Sequence, residues 1–159
     1  YPSGDPTVDK GLVAKLSPDL PHSSIDIGFH IIPLPPDGNI PFMPGWKWIH
    51  TPGHTEGHIS LFREEDRTVI VGDAFTTLKQ ESLLSVLTHR EHISGPPKYF
   101  TQNWPEAEKS VKQLKNLNPA LAIPSHGKVI KGEELTFYLD FLTSHFAEVA
   151  VPEQNQFVN

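Results

Sequence analysis

The sequence contains no cysteine in its 159 residues. That absence excludes a disulfide scaffold, a thiolate zinc site and a cysteine nucleophile, and it leaves His, Asp and Glu as the side chains able to hold a metal. Basic residues are scarce as well: 13 Lys+Arg stand against 19 Asp+Glu, a formal charge of −6 with nine His taken as neutral. No Lys/Arg run is present, so the electrostatic footprint of a nucleic-acid binder is missing. Long apolar runs are lacking too, each being a few residues against the roughly 20 that a spanning helix needs, so no membrane insertion is expected. Neither a Gly-x-Ser-x-Gly elbow nor a phosphate-binding loop occurs, which sets aside a serine hydrolase and Gly-rich phosphate chemistry.

Proline, by contrast, is abundant at 16, and the hydrophobic fraction is 37%. That profile fits a loop-rich globular protein better than a helical bundle. One domain is expected over residues 1–159, because a chain near 150 residues can bury about 70% of its unfolded surface around a single core. There is no internal repeat and no low-complexity tract. The chain opens on Tyr1 rather than Met, so a fragment or a processed product is expected and the lack of a signal peptide carries no information. A cysteine-free sequence with no visible secretion signal is compatible with the cytoplasm.

Residues 1–24 are turn-rich and are given no fold. The alternation Ile25, Ile27, Phe29, Ile31 reads as a strand that ends at the loop Pro33, Pro35, Pro36, Asp37, Gly38. Trp46, Trp48 and His50 alternate with Lys47 and Ile49 in a second strand running into Thr51-Pro52-Gly53. His58–Arg63 and Thr68–Gly72 flank the charged turn Glu64-Glu65-Asp66-Arg67 and read as an antiparallel hairpin, both strands buried, with Val69 and Val71 on one side. Residues 74–103 read as a helix and a long loop broken at Gly95-Pro96-Pro97. Ala107, Val111, Leu114 and Leu117 have helical spacing, with Pro105 in the first turn and Asn118-Pro119 as the stop. Ala120–Pro124 reads as a short buried strand. A last helix opens at Glu133 and Glu134 and carries Leu135, Leu139, Leu142 and Phe146 on one face. A loose tail follows Pro152.

Three segments at the ends of expected strands place a metal-ligand side chain beside small residues: Pro52-Gly53-His54-Thr55, Gly72-Asp73 and Ser125-His126-Gly127. A ligand at a strand end is held by the sheet, while adjacent glycines let the backbone turn and leave room for an ion and its substrate. Two imidazoles and a carboxylate suit zinc, manganese or iron(II), and zinc is the default.

Thr51-Pro52-Gly53-His54-Thr55-Glu56-Gly57-His58, then Gly72-Asp73-Ala74, then Ser125-His126-Gly127 resemble, in order and with the intervening hairpin, the later metal motifs of the metallo-β-lactamase-fold hydrolases, among them glyoxalase II-like and lactonase-like members. The resemblance covers residues 25–149. It implies an α/β (α+β) fold, a four-layer αββα sandwich of which this chain is mostly the C-terminal half. It also implies His54 as a ligand of a first metal, Asp73 as a carboxylate bridging two metals and His126 as a ligand of the second, in a dinuclear zinc site performing metal-assisted hydrolysis of a small ester, lactone, thioester or amide. The family's His-x-His-x-Asp-His motif does not occur in this sequence. The remaining ligands are therefore expected from a preceding N-terminal segment, or the uncovered half from a second copy of the chain. Two rivals stand beside this reading: a binding scaffold that has lost its metal, and an iron-dependent oxidoreductase on the same fold.

His58 is open between hydrogen-bonding to the site and serving as a satisfied core histidine. His50 reads as structural. His89 and His92 have helical spacing, but beside Arg90 and Glu91 they read as a solvated face; His22, His30 and His145 carry no argument. Trp46, Trp48, Tyr99, Phe100 and Trp104 read as core rather than as an apolar substrate pocket, and Lys79, Arg90 and Lys98 are the cations of the segment where substrate recognition would vary. No catalytic acid or base is assigned.

Overall fold

The computed structural model describes residues 31–77 and 93–152, and within residue 99 only the backbone. The expected strand over 25–31 therefore falls outside the description except at Ile31, which is not in a strand; residues 1–24, His89, His92 and the tail after 152 fall outside it altogether.

Among the described residues, five strands form one mixed sheet in the order β1 (Trp46–His50), β2 (Ile59–Arg63), β3 (Thr68–Gly72), β4 (Leu121–Pro124), β5 (Ile130–Lys131). β1, β2 and β3 are a meander, with Trp48 opposite Leu61 and Leu61 opposite Ile70. The turn Glu64–Arg67 closes on itself: Arg63 donates twice to Asp66, and Arg67 adopts a left-handed φ of 53°. β4 returns parallel to β3, Ile70 opposite Ile123, and β5 pairs antiparallel with β4. The α/β class read from the sequence is therefore the observed one.

Side-chain alternation divides the sheet into two faces. Phe62, Val69 and Ala122 lie in one cross-strand row, with Val71 on the same side; Val69, Val71 and Ala122 are fully buried. Trp48, Leu61, Ile70 and Ile123 form the matching row on the other face and are only half-buried. The expectation that both hairpin strands are buried thus holds for β3 alone; in β2 only Ser60 is buried, because Ile59 and Leu61 sit on the second face and Phe62, on the first, is only partly covered.

Helix α1 (Trp104–Asn116) covers the buried face. Its Asn103 cap accepts the Glu106 N–H at 3.1 Å, Pro105 stands in the first turn where its missing N–H costs nothing, and Ala107, Ser110, Val111 and Leu114 form the inward stripe. Helix α2 (Gly132–Ser144) packs beside it with Leu135, Tyr138, Leu139 and Leu142 inward. Burying each such leucine stabilises the fold by about 1.5–3 kcal/mol in transfer free energy. The single last helix read from the sequence is in fact two. α2 stops at Ser144, His145 leaves helical geometry while its N–H and ring both engage Phe141 O, and a one-turn α3 (Phe146–Val149) returns Phe146 to the core. No helix among the described residues is long and apolar enough to cross a membrane.

β1 and β3 run in the same direction because each is antiparallel to β2, and β4 is parallel to β3. All three release their C-terminal ends at one edge of the sheet. The segments carrying His54, Asp73 and His126 are those three ends.

Candidate metal centre

Each segment is tied down by contacts the strand ends make possible. After β1, Pro52–Thr55 presses onto the start of α1: Ser110 Oγ donates to Pro52 O at 2.7 Å, and the Asn103 and Gln102 N–H groups donate to Gly53 O at 2.9 and 3.1 Å. A Cβ on Gly53 would lie 2.3 Å from Ala107 N, and its φ is +130°, so both the contact and the backbone require glycine. His54, 7% exposed, emerges from this loop. Its Nδ1 lies 3.2 Å from Thr101 Oγ1, whose own hydrogen is given to Pro97 O at 2.8 Å. Thr101 therefore accepts, Nδ1 carries the proton, and Nε2 keeps its lone pair.

After β3, Gly72 adopts φ +58° and turns the chain so that Asp73 stands over the edge. After β4, Ser125 N–H donates to Gly72 O at 3.1 Å and His126 O accepts from Thr77 N–H at 3.1 Å, which fixes the His126 backbone beside Asp73 while its side chain stays exposed. The result is a carboxylate flanked on both sides. His54 Nε2 is 3.5 Å from Asp73 Oδ2, and His126 Nε2 is 3.5 Å from Asp73 Oδ1. Oδ1 is buried and accepts no hydrogen bond. Among the described residues no three His, Asp or Glu side chains close into a cage around a single ion; the two imidazoles face opposite oxygens of one carboxylate instead.

Burial pushes the His54 pKa down, opposed by the Asp73 charge and aided by His58 and His126. Burial likewise pushes His58 down, against the pull of the Thr51 carbonyl and Asp73. Desolvation thus favours the neutral imidazole, the form a metal requires.

A sequence model of the metallo-beta-lactamase superfamily matches residues 6–126. The chain belongs to that superfamily. This metallo-beta-lactamase superfamily chain is similar to the probable metallo-hydrolase YflN of Bacillus subtilis (strain 168), with 42% identity over 149 residues, 94% of this chain and 56% of the relative. It is also similar to the probable metallo-hydrolase YybB of the same organism, 30% identical over 90 residues, 56% of this chain and 36% of that one. The chain thus spans about half the length of the relative it matches over most of its own length. An archaeal superfamily protein from Sulfolobus tokodaii overlays 72% of this chain and 38% of its own at 16% identity with a TM-score of 0.46; the assignment rests on the sequence match and not on that overlay.

The other candidates are placed elsewhere or differently. His58 lies half-buried against the Asp73 backbone, its Nε2 accepting the Asp73 N–H at 2.9 Å. His50 Nε2 bonds Glu56 O at 2.8 Å across the loop, and the His145 ring stacks on Phe141 with centroids 4.6 Å apart, just past the end of α2. Trp46 lies under the Arg63 guanidinium, and Trp104 packs on Phe146 of the core. Thr101, an ordinary threonine with no motif around it, lies 47 positions from the histidine it orients.

Proposed function

We propose that this chain contributes His54, Asp73 and His126 to the metal centre of a hydrolase that acts on a small ester, lactone, thioester or amide, with a pair of zinc ions as the cofactor. The single observation that carries the reading is the Asp73 carboxylate, flanked at 3.5 Å by one imidazole nitrogen on each oxygen, with Oδ1 buried and unbonded. A buried carboxylate oxygen that accepts no hydrogen bond is costly, and a cation offsets that cost. The donor set also fits: two nitrogens, one carboxylate able to serve two ions, and no thiolate.

When bound there, divalent cations supply Lewis-acid polarisation of a scissile carbonyl and a water acidified for attack at neutral pH. The chain's own residues prepare the site. Thr101 fixes the His54 tautomer so that Nε2 faces the carboxylate, the Gly53 loop holds that imidazole against α1, and the Gly72 turn sets the Asp73 oxygens between the two histidines. Further ligands would come from an N-terminal segment preceding this region or from a second copy of the chain, and the substrate would be a small molecule rather than a nucleic acid.

Elemental analysis with intact mass, on the wild type and on His54→Ala, Asp73→Asn and His126→Ala, tests the proposal. About two zinc ions per chain in the wild type are expected, with less metal in every variant and hydrolysis of an ester and lactone panel lost in parallel. A wild type that stays metal-free under zinc-replete conditions, or variants with undiminished metal and turnover, would overturn it.

A further inference from the structure

We propose that His58 is a positioning residue, a rigid spacer that sets the distance between the His54 loop and Asp73; the role in metal binding rests on the reading above, the spacer itself does not. Asp73 N–H donates to His58 Nε2 at 2.9 Å, so that nitrogen is unprotonated and the ring hydrogen sits on Nδ1. Nδ1 lies 3.0 Å from Thr51 O and 2.9 Å from Thr51 Oγ1. Thr51 in turn receives no freedom: its N–H donates to His58 O at 2.9 Å, and its hydroxyl pairs with Ser60 Oγ at 3.0 Å, which donates to Val71 O at 3.1 Å. Thr51 and Ser60 are each 1% exposed. One planar ring therefore joins the residue that launches the Pro52-Gly53-His54 loop to the backbone of the carboxylate ligand.

The sheet itself does not make this join. The β2–β3 ladder reaches only Leu61 opposite Ile70, although β2 continues to Ile59 and β3 to Gly72. The His58 ring takes up the Asp73 N–H that the ladder leaves behind. Gly72 is shaped for it, since a Cβ there would lie 2.6 Å from His58 Nε2. Partners that orient metal ligands in this way commonly change metal affinity 10–100-fold when removed.

Two substitutions in the full-length protein separate the two ends of the spacer. In His58→Gln the side-chain oxygen reaches the depth of Nε2 and can accept the Asp73 N–H; in His58→Asn the amide reaches only the depth of Nδ1 and bonds Thr51. The expected result is protection of the Asp73 amide from hydrogen exchange in the wild type and in His58→Gln, and its loss in His58→Asn. Zinc affinity by chelator competition should fall 10–100-fold in His58→Asn and be largely restored in His58→Gln. Equal exchange and equal affinity in the two variants would overturn the proposal. Should the variants not fold, imidazole nitrogen NMR of the wild type decides the point: an Nδ1–H tautomer with coupling from the Asp73 amide to Nε2 supports it, and a proton on Nε2 refutes it. If the wild type takes up no zinc, the function proposed above fails, while the Asp73 amide still reports whether the spacer exists.

Discussion

Replacing Gly53 by alanine is the sharpest test of how the His54 loop is held. The new Cβ would stand 2.3 Å from Ala107 N, 2.4 Å from Ala107 Cα and 2.6 Å from Ala107 Cβ, all in the first turns of α1. None of these atoms is the free end of a flexible side chain, so loop or helix must shift, at a cost of about 1–3 kcal/mol for overpacking. The backbone adds a second cost, because φ is +130° and an L side chain in such a region costs about 1–3 kcal/mol. Together these predict a loss of about 2–6 kcal/mol, or roughly 5–20 °C in Tm for a chain of this size. Two other glycines separate the contributions. Gly45 has φ +82° with nothing within 4 Å of a Cβ, so its alanine variant should show the backbone cost alone, about 1–2 kcal/mol. Gly57 has neither a positive φ nor a neighbour, and its alanine variant should be neutral to slightly stabilising. Urea unfolding of the three variants gives the ordering directly. A Gly53→Ala loss no larger than that of Gly45→Ala would refute the claim that the loop is clamped on α1.

Two further outcomes are expected. With metal chelated, stability should decline as pH falls below about 6.5: burial lowers the folded-state pKa of both His54 and His58, so the unfolded chain binds protons first and the folded state is fully favoured only above that value; a Tm flat from pH 7.5 to 5 would contradict it. Thr101→Val removes the acceptor for His54 Nδ1 while keeping the shape; zinc affinity should fall about 10–100-fold, and the buried Nδ1–H left without a partner should cost about 1–3 kcal/mol of stability, read by chelator competition and urea unfolding.

The strands before and after the charged turn, α1 and β4 were legible because each carries its own periodicity and punctuation. Val69 and Val71 alternate, Ala107, Val111 and Leu114 recur at helical spacing, and glycine or proline marks the ends. β5 is two residues long and exists through its pairing with Leu121 and Ala122, so Ile130–Lys131 bears no local signal. The break after Ser144 was hidden because Phe146 stays in phase with the buried stripe of α2 on both sides of it. The site divides in the same way. His54, Asp73 and His126 stand out by type and by their glycine neighbours, whereas Thr101 and Thr51 are ordinary threonines whose roles arise from contacts 47 and 7 positions away. That the His58 ring meets the Asp73 backbone follows from strand register, which no residue announces by itself.

The shared direction of β1, β3 and β4 makes strand spacing, about 4.8 Å per step, the ruler for the site rather than distance along the chain. The segment between Thr77 and Thr101 can lengthen, shorten or change its chemistry without moving Asp73 relative to His126, so long as β3 and β4 remain paired and Thr77 keeps its bond to His126 O. Under the function proposed above, selection can retune what the site accepts while the spacing of Asp73 and His126 is inherited unchanged, provided the crossover keeps α1, Thr77 and Thr101, which hold the His54 loop and the His126 backbone.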